Sequence, residues 1–188
     1  APWNVPQLAE LLQQRGYYTA VTGHYEMNRN LGRGWHEQCS FIERGPLSNA
    51  FTAWMQQARR DVAWSSGAAA YAEAEGNDSL VADRAVRMIE QIAAAGAPFF
   101  LHVCLPSPHP PYFVPEPYNS LVDPASVVLP PRGADEGLPT WQSRCREENG
   151  TAQATEADIR KLVATYYGMI AYADAQMQRI WRALARHG

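Results

Sequence analysis

A short apolar run at residues 99–105 constrains the fold of this chain more than any other feature. The run reads F-F-L-H-V-C-L, so that His102 is its only polar member. A strand with apolar side chains on both faces has to be covered on both sides by helices, as in parallel α/β sheets. The stretch just before it, residues 80–95, repeats apolar side chains at helical spacing. The pattern therefore predicts a helix followed by a buried strand of a parallel sheet.

The beginning of the chain repeats this order of helix and then strand. The leucine spacing predicts a helix over residues 5–15, which Asn4 with Gln7 can cap and Gly16 can end. Residues 17–22 then form an aromatic and β-branched run between two glycines, which is typical of a buried strand. The apolar stripe of this first helix is expected at Leu8, Leu11 and Leu12. Two helix-then-strand units favour an α/β fold with a mostly parallel sheet.

The rest of the chain divides into three stretches. Residues 28–77 are broken by glycine, proline and serine and predict a loop-rich insertion with one short helix over 51–60. Residues 106–154 are rich in proline and aromatic side chains and predict an extended segment that wraps the active site. Residues 155–187 predict one long amphipathic helix. Its apolar stripe is expected at Ile159, Leu162, Val163, Tyr166, Ile170, Ala173, Met177, Ile180, Trp181 and Leu184. The expected caps are Asp78 or Ser79 for the helix over 80–95, and Thr155 with Asp158 for the last helix.

Composition excludes several kinds of partner. The formal net charge is -3, from 16 Lys and Arg against 19 Asp and Glu, and no basic run is present. Nothing in this balance predicts binding to nucleic acid or to an anionic membrane. The sequence contains no stretch near the about 20 apolar residues of a membrane helix. No secretion signal is visible, which favours the cytoplasm over the periplasm or secretion, although the true N-terminus is expected to lie outside this sequence.

Each predicted strand is followed by a loop that carries a histidine. His24 follows the first strand, and His109 follows the second within Ser107-Pro108-His109-Pro110-Pro111. In open parallel sheets, ligands bind beyond the carboxyl ends of the strands. If the two strands are parallel in one sheet, both loops face one edge, where His24, Tyr25 and Glu26 can meet Ser107 and His109. The sequence thus predicts an anion site at this edge.

For each of these histidines a structural explanation stays open beside the functional one. His24 and Glu26 point the same way in an extended chain, and a carboxylate beside an imidazole raises the pKa of the histidine, which suits an anion. Both side chains could equally be solvated turn residues. The prolines around His109 hold the ring in place for a ligand at small entropic cost, but His109 could also be a surface histidine.

Two further histidines are expected to be structural. His102 lies in the middle of a predicted strand and is interpreted as a hydrogen-bonded core residue. The group of Trp35, His36, Glu37 and Cys39 could form a metal cluster, but a structural role is favoured. The three cysteines are Cys39, Cys104 and Cys145, an odd number at wide spacing, which fits neither a disulfide framework nor a zinc knuckle.

Four ordered blocks of the sequence resemble the sulfatase family of the alkaline phosphatase superfamily. They are L-A-E-L-L-Q-Q-R-G-Y-Y-T-A-V-T-G-H, V-A-D-R-A-V-R-M-I-E, A-P-F-F-L-H-V-C-L-P-S-P-H-P-P-Y and A-T-Y-Y-G-M-I-A-Y-A-D-A-Q-M-Q-R-I. Their order and spacing are more specific than any single block, and the resemblance is weakest over residues 29–77. The branch of aryl sulfatases and phosphonate monoester hydrolases is the most similar. The resemblance implies a three-layer αβα sandwich, of which residues 1–188 form the central part of one catalytic domain.

The resemblance also implies a chemistry. Members of the family hydrolyse sulfate, phosphate or phosphonate esters with a formylglycine nucleophile that lies beside a divalent cation. The cation implied for this protein is calcium, or a transition-type metal ion such as manganese or zinc. It implies that His109 contacts the anionic oxygens or the leaving group, and it implies catalytic roles for His24 and Glu26. Tyr25, Ser107 and Tyr112 complete the implied substrate-binding set. The partner would be a small-molecule ester, and a homo-oligomer is left open.

The sequence departs from the family pattern at several points. Where many sulfatases carry G-K-W-H after the first strand, this chain has Gly23, His24, Tyr25 and Glu26, so that histidine replaces lysine and glutamate replaces histidine. No cysteine or serine stands in the C/S-x-P/A-x-R context of the nucleophile, and all metal ligands are expected outside this chain. The fragment alone is therefore not expected to be active. Two alternatives are a sulfatase-like binding protein without catalysis, and an interaction module built on the aromatic and proline-rich surface between Tyr112 and Trp141.

Overall fold

The computed structural model of the chain describes residues 5–23, 33–39, 66–131, 133, 137, 139–148 and 151–187. The strands are β1 Tyr18–Gly23, β2 Glu37–Cys39, β3 Ser66–Ala68, β4 Phe99–Cys104 and β5 Tyr112–Val114. The helices are α1 Leu8–Gln13, α2 Asn77–Ala95, α3 Thr140–Glu148 and α4 Glu156–His187, and short 3-10 helices lie at Glu73–Glu75, Tyr118–Ser120, Pro124–Ser126 and Thr151–Gln153. All strand pairs in the described part of the chain are parallel, so the α/β prediction is confirmed.

The chain forms two compact units. The first contains residues 1–48, 74–106 and 174–188, and the second contains residues 49–73 and 107–173. The first unit therefore holds β1, β2, β4, α1 and α2, whereas the second holds β3, β5 and α3. Helix α4 contributes residues to both units. No helix in the described part of the chain is long and apolar enough to cross a membrane.

The sheet of the first unit has β1 in its centre. The strand order is β2-β1-β4, and β1 pairs with β4 in parallel over six residue pairs, from Tyr18 with Phe99 to Gly23 with Cys104. Five of the six β1 residues are buried, as expected of a central parallel strand. The sequence predicted β1 and β4 within one residue at each end. Strand β2 lies in the stretch that was interpreted as a loop, because three residues without alternation carry no strand signal.

Helix α2 covers one face of this sheet. Met88 and Ile92 form a buried cluster with Ala20 of β1, against which Phe99 and Leu101 of β4 pack. The predicted apolar face of α2 is confirmed, and its buried members are Val81, Ala85, Met88, Ile89 and Ile92. The helix begins earlier than predicted, after Gly76 rather than after Asp78 or Ser79. It ends at Gly96, whose φ of +66° places it in the left-handed conformation common after helices.

The first helix, α1, is shorter and oriented differently than predicted. It covers Leu8–Gln13, and the Glu10 carboxylate accepts a 2.8 Å hydrogen bond from the backbone N–H of Gln7. Asn4, the predicted cap, lies outside the described residues. Ala9 is the buried residue of this helix and Leu12 is half-buried, whereas Leu8 and Leu11 of the predicted stripe are 60% and 45% exposed. The stripe marks an apolar face, but it does not decide which neighbour covers that face.

Strand β4 is less buried than its composition predicts. Its residues are half-buried, and His102 is exposed, so the interpretation of His102 as a core histidine was wrong. Phe99 and Leu101 face α2, and alternation along the strand turns Phe100 and His102 to the other face. On that face the Trp35 ring centroid lies 5.7 Å from that of Phe100.

The second unit contains a two-stranded parallel ribbon of β3 and β5. Its core is formed by Val114, Met169 and Tyr172, against which Tyr112 and Tyr118 pack. The Tyr172 hydroxyl donates a 3.1 Å hydrogen bond to the backbone carbonyl of Glu73, and the Tyr118 hydroxyl donates one of 3.0 Å to the Glu73 carboxylate. Burial and the Glu73 carboxylate raise the pKa of Tyr118, so this hydroxyl stays a donor. Hydrogen bonds across 45 and 99 residues of sequence thus tie the unit together.

Helix α4 begins with the capping box that the sequence predicts. The Thr155 hydroxyl donates a 2.6 Å hydrogen bond to the Asp158 carboxylate, which also accepts one of 2.9 Å from the Thr155 backbone N–H. In return, the backbone N–H of Asp158 donates to the Thr155 hydroxyl at 3.2 Å. These hydrogen bonds lower the pKa of Asp158 and favour the ionised carboxylate, which is the form that caps the helix. The helix start at Glu156 follows from this cap.

The buried face of α4 is not the one with the largest apolar side chains. Its buried residues are mostly small or polar, namely Ala164, Thr165, Gly168, Met169, Tyr172, Gln176 and Ala183. Tyr166, Ile170, Met177 and Trp181, which belong to the predicted apolar stripe, are 37–63% exposed. Small residues let the helix approach its neighbours closely, and Gly168 is the clearest case. A Cβ atom at Gly168 would lie 2.3 Å from the carbonyl oxygen of Tyr118.

Replacing Gly168 with alanine should therefore destabilise the protein. In a helix with open surroundings this change stabilises by about 1 kcal/mol, but here the helix must move away from Tyr118. We expect the free energy of unfolding to fall by about 1–3 kcal/mol, as at other overpacked sites. Urea unfolding of the full-length protein measures this change. Gly133→Ala is the control, because a Cβ there meets no atom within 4 Å. Equal midpoints for the two variants would contradict the packing described.

Candidate active site

The carboxyl ends of β1 and β4 lie side by side at one edge of the sheet. The last register pair joins Gly23 of β1 with Cys104 of β4, and adjacent strands are about 4.8 Å apart. The two strands are thus parallel neighbours, as the site prediction requires. His24, Tyr25 and Glu26 directly follow Gly23 in the sequence, but they lie outside the described residues.

Gly23 permits an unusually close contact at this edge. Its φ is +102°, and a Cβ atom there would lie 2.0 Å from the carbonyl oxygen of Cys104 and 3.1 Å from Cγ1 of Val81. Residues other than glycine rarely adopt this backbone conformation. The sequence showed Gly23 only as a turn residue, and it does not show that the β1 backbone lies directly against β4 and α2. The absence of a side chain at Gly23 therefore sets where the chain leaves the sheet towards His24.

The loop after β4 is folded rather than extended. Residues 107–111 form turns and bends, and β5 begins at Tyr112. The peptide bonds Ser107-Pro108 and Pro110-Pro111 are cis. The expectation of an extended segment over 106–154 was wrong here, because proline fixes φ and is as compatible with turns as with extended chain. The expectation of an extended segment was also wrong at α3. This helix follows Pro139 and contains glutamine, arginine and glutamate, which favour helices.

His109 is held by its own loop. It is exposed, and its Nδ1 atom lies 2.6 Å from the carbonyl oxygen of Pro110. A carbonyl oxygen only accepts, so Nδ1 carries the hydrogen in this bond. A neutral ring then presents Nε2 as an acceptor, and a cationic ring presents it as a second donor. The hydrogen bond to Pro110 thus places the ring hydrogen of a neutral His109 on Nδ1.

Ser107 and Tyr112 lie in the same compact unit as His109. Ser107 is half-buried in the turn that precedes His109. Tyr112 is the first residue of β5, and its ring centroid lies 6.2 Å from that of Tyr166 in a tilted arrangement. Tilted aromatic pairs at this distance attract each other. Tyr112 therefore presents a positioned aromatic surface three residues after His109.

The predicted structural role of His36 agrees with its contacts. The backbone N–H of Thr19 donates a 3.1 Å hydrogen bond to Nδ1 of His36, so this nitrogen is an acceptor and the hydrogen belongs to Nε2. The ring also stacks on Tyr18 with a centroid distance of 4.9 Å. In return, the His36 backbone N–H donates to the Thr19 carbonyl oxygen. His36 thus fastens the turn before β2 to β1.

The described residues offer no site for a metal ion. No three His, Cys, Asp or Glu side chains converge among them. Cys39 and Cys104 are half-buried, and burial raises the pKa of the Cys104 thiol, so that it stays protonated rather than forming a thiolate ligand. The described residues therefore do not fit the cation that the family resemblance implies.

The similarity to known proteins agrees with this geometry. The family model for sulfatases matches residues 2–188, which is nearly the whole chain. The chain belongs to the sulfatase family. Among solved structures it is similar to the phosphonate monoester hydrolase of Agrobacterium radiobacter, with a TM-score of 0.67, 25% identity and coverage of 99% of this chain.

A second solved structure shows likeness in fold alone. It is Ps i-CgsB, with a TM-score of 0.53, 14% identity and coverage of 95% of this chain. This chain covers 45% of the Agrobacterium hydrolase and 36% of Ps i-CgsB, so it spans less than half the length of either. Both comparisons support a mixed α/β fold with parallel strands.

Gly23→Ala tests the close contact at the edge of this sulfatase-family sheet. Gly16→Ala is a matched control, because Gly16 precedes the same strand with a φ of +82° but has no atom within 4 Å of a Cβ. The control should lower the free energy of unfolding by about 1–2 kcal/mol through the backbone conformation alone. Gly23→Ala should lower it by about 1–3 kcal/mol more, because the strand must also move away from Cys104. Urea unfolding of the full-length protein measures both, and equal losses would refute the contact.

Proposed function

We propose that this chain forms the anion-binding part of a metal-dependent hydrolase that cleaves sulfate esters or related phosphate and phosphonate esters. Membership of the sulfatase family supports a sulfatase-like hydrolase. The observation that carries the proposal is the pairing of Gly23 with Cys104, because it starts both histidine-bearing loops at one edge of the sheet. Ligands of open parallel sheets bind beyond this edge.

In this proposal His109 binds the anionic oxygens of the ester and protonates the departing oxygen. Its Nδ1 hydrogen is engaged with the Pro110 carbonyl, so Nε2 is the nitrogen that meets the substrate. As an imidazolium, the ring stabilises negative charge that develops on the leaving oxygen and passes the Nε2 hydrogen to it. The ring is then neutral with its hydrogen still on Nδ1. The hydrogen bond to Pro110 is kept throughout, so the ring need not reorient during the step.

Ser107 precedes His109 by two residues in the same loop. Its hydroxyl can donate a hydrogen bond to an ester oxygen, and Tyr112 can pack against the organic part of the substrate. Both residues belong to the proposed substrate-binding set together with His109.

The residues that follow β1 complete the proposed site. His24 binds the same anion as His109 and replaces the lysine that many sulfatases have at this position, and Tyr25 contacts the organic part. Glu26 accepts hydrogen bonds when ionised, so it can orient a hydroxyl group but cannot donate a proton to the ester. The roles of His24 and Glu26 therefore differ from those of the lysine and histidine in the G-K-W-H pattern.

The divalent cation and the formylglycine are proposed to be held by parts of the protein outside this chain. When bound, such a cation polarises an ester oxygen and orients the nucleophile. The contribution of this chain is different in kind. It binds the anion, places the ester against the nucleophile and supplies a proton to the leaving group.

His109→Ala in the full-length protein tests this proposal. We expect kcat to fall by about 10²–10⁴-fold, the usual contribution of a general acid, with an unchanged unfolding midpoint because His109 is exposed. The assay uses an aryl sulfate, a phosphodiester and a phosphonate monoester with the same leaving group, and the best substrate identifies the ester class. His102→Ala is the control, since His102 is also exposed but lies within β4.

The outcomes separate the proposed function from its alternatives. Unchanged turnover in His109→Ala would refute the catalytic role of the loop. A full-length protein that binds these esters but hydrolyses none of them would be a sulfatase-like binding protein. If it neither binds nor hydrolyses them, an interaction module on the aromatic and proline-rich surface becomes the better explanation.

A further inference from the structure

Tyr112 is held on one side by the core of the second unit. It is the first residue of β5 and packs, together with Tyr118, against the buried cluster of Val114, Met169 and Tyr172. Side chains two residues apart on a strand point to the same face, so Tyr112 and Val114 share the face of β5 that meets α4. A tyrosine side chain has several rotamers, and its ring rotates over a broad range. Contact with the core at this one side therefore leaves the plane of the Tyr112 ring open.

Tyr166 of α4 contacts the same ring from a second direction. The ring centroids of Tyr112 and Tyr166 are 6.2 Å apart, and the ring planes are tilted by 60°. Tyr166 lies three residues before Met169, which places the two side chains on neighbouring turns of one helix face. On β5, Tyr112 likewise lies two residues before Val114, which packs with Met169. A tilted aromatic pair prefers one relative orientation of its rings, so Tyr166 sets the plane of Tyr112.

Tyr166 is placed to orient its neighbour rather than to fill the core. Its residue surface is 37% exposed, whereas that of Tyr172 in the buried cluster is 2% exposed. The next residue, Tyr167, is 51% exposed and lies about 100° further around the helix. Loss of the Tyr166 ring should therefore change the orientation of Tyr112 more than the stability of the unit.

We propose that Tyr166 is a positioning residue that makes Tyr112 prefer an aromatic over a saturated organic group next to the anion. The inference rests on the proposed function, in which Tyr112 packs against the organic part of the ester. Aromatic rings gain an attraction beyond their buried area when they meet offset or tilted. A Tyr112 ring held at one angle offers this contact to a planar ring, whereas a saturated ring of similar size gains only the buried area. Tyr112, Tyr166 and His109 belong to the same compact unit.

The test measures how tightly the full-length protein binds two anions that differ only in the ring. Phenylphosphonate and cyclohexylphosphonate carry the same anionic group on rings of similar size, one aromatic and one saturated. The measured quantity is the ratio of the two dissociation constants, obtained by calorimetry, which requires no turnover. The proteins are wild type, Tyr166→Leu, Tyr166→Phe, Tyr112→Leu, and the double variant with leucine at both positions. Tyr166→Gln repeats the removal of the ring with a polar residue that suits an exposed helix position, and Tyr167→Leu is the matched control.

Wild type should bind phenylphosphonate about 3–10-fold more tightly than cyclohexylphosphonate, as expected from the attraction within one aromatic pair. Tyr112→Leu should abolish this preference, and Tyr166→Leu and Tyr166→Gln should remove most of it. Tyr166→Phe should keep the preference, because the ring remains. The double variant should behave as Tyr112→Leu does, since Tyr166 acts through Tyr112. Tyr167→Leu should leave the preference at the wild-type value.

Several results would overturn the inference. They are a wild type without preference, an unchanged preference in both Tyr166→Leu and Tyr166→Gln, a loss in Tyr166→Phe as large as in Tyr166→Leu, and an equal loss in Tyr167→Leu. In each of these cases the anion is still bound, so the proposed function stands without this role of Tyr166. If wild type binds neither phosphonate, the inference fails, and the proposed function fails with it only when the esters named above are not hydrolysed either.

Discussion

The parallel pairing of β1 with β4 is the interaction on which the rest of the structure depends. Six register pairs align the two strands, and the last of them, between Gly23 and Cys104, brings their carboxyl ends together. The contact is close because Gly23 has no side chain and adopts a positive φ. Helix α2 packs across both strands through Met88 and Ile92. Two loops that start 81 residues apart in sequence therefore start from one edge.

Much of this arrangement follows from sequence pattern alone. The strands β1 and β4 were predicted because each is a continuous apolar run. The helix α2 was predicted because its apolar residues repeat at helical spacing. The capping box at Thr155 and Asp158 was predicted because its hydrogen bonds are local. Local rules of this kind need no knowledge of distant neighbours. The placement of both histidine loops at the sheet edge was predicted for the same reason, since each follows a recognisable strand, and it stays a prediction.

Other parts depend on neighbours that a pattern does not show. On α4 the core face consists of small residues around Gly168, which permit contact with Tyr118, whereas the larger Trp181 and Ile170 are exposed. Hydrophobicity alone placed both on the apolar stripe. Leu8 and Leu11 of α1 are likewise exposed members of a predicted stripe, and His102 of β4 was interpreted as a core residue but is exposed. The strands β2, β3 and β5 have three residues each, which is too short for an alternation to be recognised.

The candidate site combines these two kinds of information. Its proposed position rests on the ends of β1 and β4, while the hydrogen bond between His109 and Pro110 is something that only the structure reveals. A crystal structure of the full-length protein with bound vanadate would test the central claim most directly. The account predicts one oxyanion at the carboxyl edge of the sheet, within hydrogen-bonding distance of Nε2 of His109 and of the His24 ring. An oxyanion bound elsewhere, or imidazoles at opposite ends of the sheet, would contradict it.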